Sequence, residues 1–72
     1  MDDKILEIMR RVFKNDDVNQ ESSQSNCENW DSMHHLDLIV ELENEFDVEF
    51  EPEEIADMKS FDKVKSIIAS HL

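Results

Sequence analysis

Residues 30–46, Trp-Asp-Ser-Met-His-His-Leu-Asp-Leu-Ile-Val-Glu-Leu-Glu-Asn-Glu-Phe, decide how the rest of the chain is read. At about 100° per residue, Leu38, Ile39, Leu42 and Phe46 share one arc, as the core-facing side of a helix does. Met33, Leu36 and Val40 share a second arc, near Ser32 at the N-terminal end. Asp37, Glu41, Asn44 and Glu45 fill much of the remaining circumference, and Glu43 lies between the two apolar arcs. Asp31 is suited to cap the helix, which leaves Ser32 in its first turn. A small domain needs only one buried face per helix. The second arc therefore calls either for burial between helices or for a partner.

The flanking sequence supplies three more helices. In residues 3–14, Ile5, Ile8, Met9 and Val12 recur at helical spacing, and Leu6 and Phe13 widen the stripe. Asp2 or Asp3 is expected to cap that start, and Arg10, Arg11 and Lys14 suit the dipole at its end. Residues 15–29 are polar and aperiodic, with Val18 and Cys27 the only apolar side chains, and read as a long loop. Residues 47–51 alternate apolar and acidic but have no partner strand. They read as an extended connection with Val48 and Phe50 turned inward. Pro52 suits the first position of a short helix over about 53–58, anchored by Ile55 and Met58. Ser60 is placed to cap a last helix over about 61–71, with Phe61, Val64, Ile67 and Ile68 inward and Lys63 and Lys65 outward. The fold class expected is all-α, one domain over residues 1–72, with four helices, a short third one and a long loop after the first.

Composition narrows the function. The chain has 72 residues, seven basic and nineteen acidic, for a net charge of −12. No basic residue lies between Asn15 and Met58, where most of the acidic ones fall. With no basic stripe to neutralise phosphates, nucleic acid is disfavoured as a partner, and anionic membranes are disfavoured for the same reason. No apolar run approaches a membrane span. Met-Asp-Asp-Lys at the N-terminus lacks a signal-peptide pattern. A soluble cytoplasmic protein is expected, and its single cysteine agrees with a reducing compartment. An acidic surface either keeps a small protein soluble or steers basic protein partners towards it.

Ser32 is the residue with chemistry to offer. A serine at a helix start is usually a structural feature. The same position also favours an attached phosphate, because free amide groups and the helix dipole meet it there. A nucleophilic serine is the rival. However, His34 and His35 leave a helix in different directions from Ser32, and the chain has no glycine for a nucleophile turn or oxyanion loop. His34, His35 and His71 lack the i, i+4 spacing of helical zinc sites. The acidic run from Asp47 to Glu54 lacks the glycine and ligand spacing of a calcium loop. No metal site is expected. The histidines read as solvent or partner contacts, His35 leaning towards the core yet near enough the helix end to reach water.

From Trp30 onward the chain resembles the acyl carrier protein family. The resemblance rests on Asp31-Ser32-Met33, then Leu36, Asp37, Leu38, Ile39, Leu42, Glu43 and Phe46 in register. It continues through Asp47-Val48-Glu49-Phe50 and Pro52-Glu53-Glu54-Ile55. It implies a small four-helix bundle with 4'-phosphopantetheine esterified to Ser32. It also implies a non-enzymatic role: the arm's thiol carries acyl groups as thioesters between partner enzymes. A holo-carrier-protein synthase, a phosphopantetheinyl transferase, would install the arm from coenzyme A with magnesium. Acyl-loading and acyl-processing enzymes would present basic docking patches to Asp31, Met33, Leu36, Asp37, Val40, Glu41 and Glu43 of a monomeric carrier. Asn29-Trp30 stands where many members have a glycine, and His34 where an acidic residue is common. These departures point to a specialised carrier. Two alternatives share the sequence features: an aminoacyl carrier of the D-alanyl type, which also uses Asp-Ser-Met, and an acidic interaction module with no covalent arm.

Overall fold

In the computed structural model, which describes residues 1–72, the chain forms four helices and no strand. They are α1 (Asp2–Phe13), α2 (Ser32–Phe46), α3 (Pro52–Asp57) and α4 (Phe61–His71). Each stands where its apolar periodicity places it. In α1 the stripe is buried through Ile5, Leu6, Ile8, Met9 and Phe13. In α2, Leu38, Ile39 and Leu42 are buried, while Phe46 at the far end is half-buried. Phe61, Val64 and Ile68 of α4 close the core, joined by Val18, Trp30, Phe50 and Met58 from the connections. Helices α1 and α2 are the pair that run closest along one another. No helix is long and apolar enough to cross a membrane.

The helix ends show how a chain without glycine stops a helix. Lys14 after α1 and Asp47 after α2 both adopt the left-handed conformation, with φ of 53° and 54°. That conformation is usually left to glycine, because a Cβ there costs about 1–2 kcal/mol. Each residue recovers part of that by donating its backbone N–H to a carbonyl of the last turn, Arg10 or Glu43. At the starts, Ser60 caps α4 by accepting the Lys63 N–H. Pro52 opens α3, and the Glu54 carboxylate accepts the Glu51 backbone N–H at 2.8 Å.

Two expectations need correction. Neither Asp2 nor Asp3 caps α1; Met1 occupies that position without a side-chain bond. Asp2 instead pairs with Lys65 at 2.9 Å, which joins the start of α1 to α4 and draws Lys65 off the exposed side. The segment between α1 and α2 is the long loop expected, built of turns. Arg10 Nε donates to the Val18 carbonyl, Gln24 N–H to the Lys59 carbonyl, and Phe61 N–H to the Ser22 carbonyl. Val18 is 1% exposed. Polar side chains satisfy this backbone locally, so it needs no helix to be ordered. The second correction concerns His35, which belongs to the site.

Candidate functional site

The N-terminus of α2 is built by the three residues before Ser32. Asn29 has φ of 71°, a conformation asparagine tolerates better than most residues, and its amide donates to the Phe13 carbonyl at 2.8 Å. Trp30 follows, 5% exposed, with its ring 5.0 Å from that of Phe13. Asp31 is extended and caps α2 as expected, accepting the His34 backbone N–H at 2.9 Å. The same carboxylate oxygen lies 2.8 Å from His34 Nδ1. Those contacts, the backbone N–H first and the ring second, hold the Asp31 carboxyl below the usual carboxylate range. Ser32 stands exposed in the first turn. Its hydroxyl bonds to neither histidine: His34 is engaged with Asp31, and His35 points inward.

His35 is buried at 9% exposure, and both ring nitrogens are engaged with the protein instead of pointing out to solvent. Trp30 Nε1 donates to its Nδ1 at 2.9 Å, and its Nε2 lies 2.8 Å from the Ile55 carbonyl oxygen. One side chain thus ties the end of the loop, the first turn of α2 and the middle of α3. Its partners lie five residues before it and twenty after it, so helical periodicity could not reveal the pairing. A cleft of about 520 Å³ opens beside this bridge. Ser32 and Asp31 line it, and Trp30, Leu36, Pro52 and Ile55 supply apolar lining.

The second apolar arc of α2 remains uncovered. Met33, Leu36 and Val40 are 78%, 61% and 54% exposed, and they follow Ser32 along the helix. Burial between helices is therefore not their role. Their acidic neighbours are used unequally. Asp37 is exposed and makes no internal bond. Glu41 accepts from Arg11 at 2.6 Å, and half-buried Glu43 accepts the Phe50 backbone N–H at 3.0 Å. Glu43 helps hold the connection after α2, so of the acidic residues on this face Asp37 is the one with both carboxylate oxygens uncommitted. Half-buried Cys27 stands apart from the site, and burial raises the pKa of its thiol. No group of three His, Cys, Asp or Glu side chains gathers closely enough to hold a metal ion.

No protein-family model matches the chain, and no curated protein matches its sequence.

Proposed function

We propose that the chain is a carrier protein, with 4'-phosphopantetheine esterified to Ser32 and acyl groups carried on the arm's thiol. The observation that carries this reading is the setting of Ser32. It is an exposed hydroxyl in the first turn of a fifteen-residue helix, beside an apolar-walled cleft and at the head of an uncovered apolar strip. A phosphodiester on Ser32 would sit at the positive end of the α2 dipole. Asp31 fixes the helix start from which the hydroxyl projects. The chain offers that hydroxyl no base, since both neighbouring histidines are engaged elsewhere. The base must therefore come from the modifying enzyme. In the transfer, Ser32 Oγ bonds to the β-phosphorus of coenzyme A, the pyrophosphate bridge breaks, and adenosine 3',5'-bisphosphate leaves. The hydroxyl proton passes to the transferase.

The strip Met33, Leu36 and Val40 with Asp37 and Glu41 gives partner enzymes an apolar contact with a negative border. Contiguous exposed apolar surface of this kind marks interaction sites, and the charge would favour partners with basic patches. On this reading the protein performs no catalysis itself and works as a cytoplasmic monomer, in fatty-acid synthesis or a more specialised pathway.

Intact mass after incubation with coenzyme A, magnesium and a broad-specificity phosphopantetheinyl transferase tests the reading. One arm should add to the native chain and none to Ser32→Ala. If a control carrier is modified while the native chain is not, the acidic interaction module takes its place. An amino acid as the cargo of protein isolated from its host would select the aminoacyl carrier.

A further inference from the structure

The bridge behind Ser32 has a chemistry that carrier function alone does not call for. An indole N–H can only donate, and a carbonyl can only accept. Nδ1 of His35 is therefore its bare nitrogen, and Nε2 carries the proton donated to Ile55. Both ring nitrogens are used. The three bridge residues all line the cleft. Beyond it the core is closed to solvent: Phe13, Leu38, Leu42 and Met58 are all 0% exposed, and none of them lines a recess. The other two recesses of the molecule are lined mainly by polar residues and lie away from Ser32.

We propose that the Trp30–His35–Ile55 bridge limits the length of the cargo, so that short acyl or aminoacyl groups rest in the surface cleft and long acyl chains are kept out of the interior. The inference rests on the carrier reading of Ser32. A long chain seeking the core from this site must part α3 from α2. Parting them breaks the bond from His35 Nε2–H to the Ile55 carbonyl and leaves that N–H without a partner, while Trp30 still holds Nδ1 and the carbonyl keeps the Met58 N–H. Unpaired buried polar groups cost more than a paired hydrogen bond contributes. The chain must also displace buried core side chains, and overpacking a core is itself destabilising. A short group meets neither cost, because the cleft already exists. His35 thus sets specificity through its tie between two helices, and Trp30 is a positioning residue that orients the His35 ring.

The test loads the full chain with butyryl-, octanoyl- and dodecanoyl-phosphopantetheine from the corresponding coenzyme A thioesters. Cleavage of each thioester by hydroxylamine is then followed by intact mass. On the native chain the three should be cleaved at rates within about twofold of one another. His35→Leu opens the bridge, and the dodecanoyl group should then be cleaved about tenfold more slowly than butyryl, the factor that about 1.4 kcal/mol of sheltering represents. Trp30→Phe keeps a ring at the position but removes the N–H, and should shift the rates in the same direction. Should His35→Leu fail to fold by circular dichroism, Trp30→Phe carries the test. A native chain that already protects dodecanoyl overturns the inference, as do folded variants that treat all three lengths alike. In both cases an arm on Ser32 leaves the carrier reading standing. If no arm adds, both fall together.

Discussion

The loop between α1 and α2 and the helix α3 reverse the usual expectation about which parts of a fold are firmly held. The loop has no regular structure, yet it buries Val18 and Trp30 and is tied to α1 by side-chain bonds to backbone carbonyls and to α4 and the segment before it by backbone bonds. Helix α3 is regular, yet none of its residues is fully buried. It is attached by half-buried Ile55, by the His35 bond to the Ile55 carbonyl, and by the pairing of Glu54 with His71 at 3.0 Å. Hydrogen-bonded regularity and anchorage are separate properties, and local stability follows buried contacts. The two regions meet at His35, so the cleft beside Ser32 has one firm wall and one lightly held wall. A site that must admit an arm or a partner gains from that asymmetry.

The largest expected effect breaks the firm side. Trp30→Ala removes a ring packed against Phe13 and the donor to His35, and should cost about 3–5 kcal/mol of folding stability. In a domain this small that is a large share of the total. Ile55→Ala, on the lightly held side, should cost less than about 2 kcal/mol, because a half-buried side chain has less to lose than a core one. Urea denaturation of both variants gives the comparison. Equal losses would mean that α3 is anchored as firmly as the loop.

A smaller effect sharpens the account of how an irregular segment is held. Asn29 combines a left-handed backbone with a side-chain bond to the Phe13 carbonyl. Asn29→Gly keeps the backbone conformation accessible and loses only the bond, for about 0.5–1.5 kcal/mol. Asn29→Ala loses the bond and adds the cost of a Cβ in that region, so it should be worse than glycine by a further ~1 kcal/mol. Chemical denaturation would resolve the order. Alanine no worse than glycine would show that the backbone can relax at this position.

Much of the fold was legible because burial in α1, α2 and α4 repeats with the helical period. Leu38, Ile39 and Leu42 are buried and Met33, Leu36 and Val40 are exposed, as the two arcs of α2 imply. Asp31 was legible as the cap because capping is a local matter between neighbours. What was hidden depends on contacts distant in sequence. The pairing of Asp2 with Lys65, of Glu41 with Arg11 and of His35 with Ile55 leaves no periodic trace. The order of the loop was hidden for a different reason. Its asparagines and serines look the same in a sequence whether they bind water or their own backbone.

The smallest expected effect concerns acid and the attachment of α3. The Glu54 carboxyl is held below its usual range, first by the Glu51 backbone N–H and then by His71. A carboxylate whose folded-state pKa is depressed contributes stability that is fully present above its unfolded value, about 4.3, and is lost as pH falls through the lower folded value. Below about pH 4.3 the tie between α3 and α4 should therefore weaken while the apolar anchorage of α1 persists. Asp2 and Asp31 are depressed in the same direction, so a global melting curve would mix the three contributions. Amide resonances separate them. On acidification, signals from Glu54 to Asp57 should move or broaden before those of Ile8 and Met9. Glu54→Gln keeps an oxygen to accept the Glu51 N–H but has no charge to lose, so it should flatten the response of α3 alone. If α1 and α3 respond together in the native chain, α3 is not independently held and the contrast between the two walls of the cleft disappears.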